Sequence, residues 1–327
     1  MPLVRSCDPG TLTPVAVQSN LPQPQTRAQR NKDPLGGTRT LYWKNRSVAG
    51  APQRFRATGL LNFLVPYTRA VSVAGERVIK VQDPASSRTE RLRTEAGRAV
   101  GQQTGLFLVP QILSFDDSRG EIVFERLPLI GFREVLSDPG RSMDLAGRAA
   151  VALAAIHGKM EADPGAQRGA GGPGTGRARA LVPLHGDFGM RNIFYVAESD
   201  SLAVIDWSNA DWIGIDEALG EPEIDVAVFM MSLFNRRLFG PWSIPQRREL
   251  GRHFLKTYAS ASPRGLDLDA LARIVAATKA GFHDGTRRQK GRIRALAYRH
   301  SVIDLEFFLR RLRRHGFSGT TPAERMR

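Results

Sequence analysis

Residues 184–194 read LHGDFGMRNIF, and residues 203–207 read AVIDW. Apolar side chains flank both stretches, yet His185-Gly186-Asp187 interrupts the first, Asn192 follows Asp187 by five residues, and Asp206 closes the second. A core does not accept such groups for nothing, because an unpaired buried carboxylate is expensive. A bound cation shared by these oxygens is the first candidate to offset that expense. The intervening IFYVAESDSLAVID has two apolar runs with the polar residues Glu198 to Ser201 between them, so it reads as a strand pair that delivers Asn192 and Asp206 to one place.

Working outward, AVSVAGERVIKVQ alternates around Ala74-Gly75-Glu76 as a hairpin with Lys80 in its second strand. SSRTERLRTEAGRAVGQQ then predicts a helix capped by Ser86 or Ser87, with Leu92, Ala96 and Ala99 on one face. QILSF and EIVFERL predict two strands across the turn DDSRG, and MDLAGRAAVALAAIHG a long helix with Leu145, Ala149, Leu153 and Ile156 on one stripe. Beyond the quoted motifs the pattern is helical. It ends on SVIDLEFFLRRLRRHG, whose Val302, Leu305, Leu309 and Leu312 form an apolar face. Residues 1–50 lack a sustained apolar period and predict a disordered basic tail; residues 161–180 are Gly- and Pro-rich and predict a flexible insertion.

Composition narrows the function classes. The chain has 327 residues, 42% of them hydrophobic, and a single cysteine, Cys7, which excludes a disulfide framework or a cysteine-based metal site. No stretch reads as a secretory leader or a membrane span, so a cytoplasmic protein is expected. The net charge of +15 makes phosphorylated ligands, nucleic acid or anionic membrane plausible partners without choosing among them. The C-terminal region concentrates the positive charge in Arg287, Arg288, Lys290, Arg292, Arg294, Arg299, Arg310, Arg311, Arg313 and Arg314.

Phosphoryl transfer from a nucleotide needs an aspartate to take the hydroxyl proton, two oxygen ligands for magnesium and a lysine on the phosphates. Asp187, Asn192, Asp206 and Lys80 supply that set. The motifs HGDFGMRNIF, VIDW and GEPEIDVA together resemble the aminoglycoside phosphotransferase and choline kinase branch of the protein-kinase-like fold. The resemblance runs from about Thr58 to His315. It implies Asp187 as catalytic base, Asn192 and Asp206 as magnesium ligands, Asp225 as a carboxylate bracing the loop, and Lys80 paired with Glu95, with Glu90 as the other candidate partner. It also implies a connector at Glu125 to Leu127 whose backbone holds the adenine. Residues 57–70, ATGLLNFLVPYTRA, depart from the family's phosphate-covering loop, with Gly59 alone and no G-x-G-x-x-G spacing.

The expectation is therefore an α+β, kinase-like fold. It has an N-lobe of antiparallel sheet and one helix over 51–127, a mainly helical C-lobe over 128–317, and a tail over 318–327. The expected function is ATP- and Mg2+-dependent phosphorylation of a small hydroxylated acceptor, with a neutral or anionic sugar, polyol or glycoconjugate favoured over an aminoglycoside or amino alcohol. The competing reading is an inactive binding module whose arginine-rich end meets nucleic acid or an anionic membrane. No obligate nucleic-acid partner is expected, and peripheral contact with anionic surfaces stays open.

Overall fold

The alternation in AVSVA and RVIKV produces β2 (Ala70–Ala74) and β3 (Arg77–Val81), which pair antiparallel across a tight turn where Gly75 adopts φ +57°. The computed structural model describes residues 40–41, 70–161, 181–208, 219–235, 243–278 and 292–317, with backbone only for 40–41 and 292–301. All lie within one compact unit, Thr38–Arg327. β1 (Thr40–Leu41) pairs with the outer edge of β2, although it falls within the stretch expected to be a tail. The rest of that tail, residues 57–69, the insertion at 162–180 and the tail at 318–327 lie outside the described residues.

α1 (Pro84–Thr104) starts earlier than its serines suggested. The Asp83 carboxylate accepts the Ser86 N–H at 2.9 Å, and Pro84 fills the first turn, where a missing N–H costs nothing. The face that carries Leu92 is not the buried one: Leu92 is 41% exposed, whereas Ser87, Glu90, Arg93, Thr94, Gly97, Val100 and Gly101 face inward. Polar partners on the sheet, rather than apolar burial, set the rotation of this helix. β4 (Phe107–Leu108), β5 (Ile112–Asp116) and β6 (Glu121–Glu125) follow. The first sheet is antiparallel in the order β1-β2-β3-β6-β5, with Lys80 opposite Ile122.

Downstream come β7 (Ile130–Gly131), α2 (Phe132–Val135), α3 (Pro139–Lys159), β8 (Val182–Pro183), β9 (Ile193–Val196), a 3-10 turn at Ala197–Ser199 and β10 (Ser201–Val204). β11 (Leu219–Gly220), α4 (Glu223–Phe234), α5 (Ile244–Ala261), α6 (268–278) and α7 (Arg292–His315) complete the described elements. β10 pairs antiparallel with β9 and parallel with β4, so a strand preceding the connector completes a sheet that follows it. β11 pairs with β8, a short strand that the helical pattern of this region had hidden.

The expected stripe of α3 is fully buried at Leu145, Ala149, Leu153 and Ile156, and α7 buries Val302, Leu305, Leu309 and Leu312. α3 packs along α5, and α4 presses Phe229 onto Phe254 of α5 with ring centroids 3.8 Å apart. No described helix is long and apolar enough to cross a membrane.

Candidate active site

β8 and β9 hold the loop between them on a short tether. Gly186 takes φ +85°, a region open to glycine, and the chain then closes on itself through Gly189 N–H to Asp187 O at 2.6 Å and Asn192 N–H to Gly189 O at 2.9 Å. Met190 N–H donates to Ser232 Oγ at 3.1 Å, tying the loop to α4. Beneath it lies Asp225, wholly buried, whose two carboxylate oxygens accept the backbone N–H of His185 at 2.7 Å and of Gly186 at 2.9 Å. Burial opposes its charge, but hydrogen bonds from His157 and the His185 backbone hold its pKa below the usual carboxylate range.

A carboxylate only accepts, so His157 Nε2 carries the proton that reaches Asp225 Oδ2 at 3.1 Å, and its Nδ1 accepts the Tyr258 hydroxyl at 2.8 Å. The chain Tyr258, His157, Asp225 thus runs from α5 through α3 and α4 to the loop. His157 stands in the last turn of α3. His185 is likewise fixed: Asp187 N–H donates to its Nδ1 at 3.2 Å, leaving Nε2–H for Ile205 O at 3.2 Å. Complete burial pushes its pKa down to about 4, so the ring is neutral and orients the loop.

Asp187 is 4% exposed. Its Oδ2 accepts Asn192 Nδ2 at 2.9 Å and contacts the Arg191 guanidinium, whereas Oδ1 is buried with no hydrogen-bond partner among the described residues. Burial raises its pKa, with Asp206 adding to the rise; Arg191 and Asn192 oppose it, but burial prevails. Such an oxygen suits a group that must accept a proton. Asn192 Nδ2 also donates to Asp187 O at 2.9 Å, which turns its amide oxygen away from Asp187.

Asp206 follows β10 with φ +61°, a strained conformation for a non-glycine residue that aims its carboxylate away from the strand. Its Oδ1 accepts Lys80 Nζ at 2.9 Å and Ser208 Oγ at 2.8 Å. Lys80, 5% exposed on β3, also contacts Glu90, whose second oxygen accepts Gln82 Nε2 at 2.7 Å. This corrects the expected pairing. Glu95 lies on the outer face of α1, bonded to Arg91 at 3.1 Å, and Glu90 occupies the place beside the lysine.

The donor set bears on the metal. Among the described residues no three acidic, histidine or cysteine side chains converge into a metal cage. One carboxylate and one amide oxygen suit magnesium, which keeps waters and phosphate oxygens as its other ligands. Asn192 and Asp206 therefore fit a metal that arrives with a nucleotide.

Trp207 couples α1 to this cluster. It is 1% exposed, its Nε1–H donates to Val204 O at 3.2 Å, and its ring stands 4.5 Å from His185 and 6.4 Å from Phe107. Gly97 of α1 lies against its far edge, so close that a Cβ would come within 2.4 Å of the ring. Besides the His157 relay, two contacts at this cluster escaped the sequence reading. One is this glycine seat; the other is Arg191, whose only sequence signal is a cation four residues past the aspartate.

The expected adenine connector fits less closely. Glu125 N–H donates to Gln111 O at 2.9 Å, and its carboxylate accepts the Gln111 N–H at 2.6 Å, so this residue joins β6 to the segment before β5. Leu127 O accepts the Leu129 N–H at 3.0 Å. Residues 126–130 line a cavity of about 520 Å³ with Ala197 and Glu198. Lys80, Asp187 and Asp206 are not on its wall, so the polar cluster and not this cavity marks the chemistry.

No family model and no curated protein sequence matches the chain. Among solved structures it is similar to a glucosamine kinase in complex with glucosamine, ADP and inorganic phosphate. The identity is 16% and the TM-score 0.52, with 75% of this chain and 80% of the other covered. A second crystal form of glucosamine kinase matches at 15% identity and TM-score 0.52, over 72% and 77%. A choline/ethanolamine kinase family protein from Mesorhizobium loti matches at 14% and 0.46, over 78% and 93%. At these identities the likeness concerns the fold, which is protein-kinase-like, α+β, as the sequence motifs implied.

Proposed function

We propose that this protein transfers the γ-phosphoryl group of a magnesium-bound nucleoside triphosphate to a hydroxyl of a small molecule. The observation that carries this reading is Asp187 Oδ1, a buried carboxylate oxygen without a partner among the described residues, in one loop with Asn192 and near the charge of Asp206. A hydroxyl donating to that oxygen satisfies it and hands over its proton as the oxygen–phosphorus bond forms. Lys80, held by Glu90, contributes a fixed positive charge to the phosphates. Asn192 and Asp206 would hold the magnesium, which neutralises phosphate charge when bound. Asp225 keeps the loop in register from below. Four such positions brought together by separate segments count against a pure binding module.

A sugar is the first acceptor class to screen, because one of the two structures matched at TM-score 0.52 holds glucosamine. Asp187→Asn preserves shape but removes proton acceptance. It should leave the nucleotide-induced thermal shift in magnesium intact while lowering turnover by about 100-fold or more, the range for general base removal. Equal turnover in variant and wild type refutes the assignment.

A further inference from the structure

We infer that Tyr258, on α5 and remote from the reacting groups, is a positioning residue for phosphoryl transfer: its hydroxyl holds the His157 ring, and through His157 and Asp225 it keeps the loop of Asp187 in register. This rests on the phosphotransferase reading above. Asp225 is wholly buried and its carboxylate is held by N–H groups alone. Oδ1 takes the Gly186 N–H at 2.9 Å, and Oδ2 is shared between the His185 N–H at 2.7 Å and His157 Nε2–H at 3.1 Å. Among the described residues it has no lysine or arginine partner. Two of its three donors belong to the backbone beside Asp187, so the third, His157, shares in deciding where that backbone lies.

The hold on His157 comes from Tyr258. Nε2 must carry the hydrogen, because a lone pair there would face a carboxylate, which leaves Nδ1 as a buried acceptor that needs a donor. The Tyr258 hydroxyl supplies it at 2.8 Å, and burial pushes the pKa of this phenol up, so it keeps its proton. The tyrosine ring, itself 0% exposed, meets the imidazole edge-on at 80°. Without the hydroxyl, the imidazole relieves Nδ1 only by turning, and turning takes Nε2–H off Asp225.

On the other side of Asp225 the line continues. His185, anchored by its N–H, accepts the Asp187 N–H on its own Nδ1 at 3.2 Å and gives Nε2–H to Ile205 O at 3.2 Å. One run of hydrogen bonds thus joins Tyr258 to the backbone of Asp187 and to the residue before Asp206. Phenylalanine at position 258 would fill the same space and keep the ring contact, so the hydroxyl alone is what the relay needs.

The test uses the full chain as Tyr258→Phe, with Leu255→Ala as a variant that loosens the buried face of α5 without touching the relay. Two quantities are read. One is ADP release from ATP and magnesium, with glucosamine as probe acceptor and with water alone. The other is amide hydrogen exchange at His185, Gly186 and Asp187, set against the amides of Leu305 and Leu309 in α7. Tyr258→Phe should lower kcat about 10-fold with KM for ATP changed less than about twofold, within the range for a buried acceptor left without its donor. Exchange at the three loop amides should quicken about 10-fold more than in α7. Leu255→Ala should lower Tm by more than Tyr258→Phe does, yet change kcat less than about twofold. Equal losses of kcat in the two variants, or exchange that rises alike in loop and α7, would mean that Tyr258 only packs, and overturn the inference. Because the effect runs through His157, adding Tyr258→Phe to His157→Leu should cost less than about twofold more. A further 10-fold or so lost in that double variant also overturns it. His157→Gln, whose amide can donate to Asp225 and accept from Tyr258, should keep more turnover than His157→Leu. No ADP release by wild type in either arm overturns the phosphotransferase reading instead; the exchange measurement then decides alone whether Tyr258 holds the loop, and unchanged exchange in Tyr258→Phe refutes that as well.

Discussion

Gly97→Ala tests the coupling between α1 and the Asp206 loop. A Cβ at this position would lie 2.4, 2.4 and 2.7 Å from three carbons of the Trp207 ring, where unstrained carbon contacts fall near 3.5–4.0 Å. The ring cannot swing aside, because Val204 O holds its Nε1–H and His185 and Phe107 flank it. Overpacking of this kind costs about 1–3 kcal/mol, and this contact is at the severe end. Alanine recovers about 1 kcal/mol over glycine in a helix interior. The net is a loss of about 2 kcal/mol, or a fall of about 4–8 °C in Tm at about 2–4 °C per kcal/mol. Because the strained ring belongs to the residue next to Asp206, the stabilisation added by magnesium and nucleotide should shrink as well. Thermal denaturation with and without ATP and magnesium measures both effects. The double variant with Trp207→Phe, which removes the far ring, should be more stable than the sum of the single changes. A rise in Tm for Gly97→Ala, the outcome of helix propensity acting alone, refutes the close seat.

Glu90→Gln should weaken nucleotide binding about 10-fold or more, since it removes one charge-assisted contact that holds Lys80, while Glu95→Gln should change neither binding nor Tm appreciably, its exposed pair with Arg91 being worth about 0.3–0.5 kcal/mol; titration of nucleotide against both variants checks the difference. Acid should destabilise the protein through His185. The unfolded chain takes up this proton near pH 6.5, whereas the folded ring does so only near about 4, so stability present above pH 6.5 drains away as pH falls through that window. The full difference is about 3 kcal/mol, partly returned by Asp187, whose raised pKa makes the folded state the better proton acceptor there. Urea denaturation at pH 7 and pH 5 should show a smaller loss in His185→Gln than in wild type; equal losses would assign the acid sensitivity elsewhere.

The sequence by itself determined the parts of this protein that are local. Asp187 and Asn192 share one loop, so their spacing already sets their geometry, and the periods of α3 and α7 are strong enough that their buried stripes fall where the pattern puts them. The strand pair β9–β10 was legible for the same reason. What only the tertiary structure decided is which side of a helix meets which partner. Glu90 and Glu95 are five residues apart, so at about 100° per residue they point to faces about 140° apart, and the weak apolar face of α1, with Leu92 exposed, does not say which one turns inward. Its rotation is fixed by contacts distant in the chain: Ser87 Oγ to Gly120 O at 2.8 Å, Lys80 on Glu90, and Gly97 under Trp207. The same holds for the relay from Tyr258 through His157 to Asp225 and for Arg191 on Asp187. A side chain's partner follows from position along the chain only while the backbone between the two is itself short and fixed, and beyond that range packing chooses it.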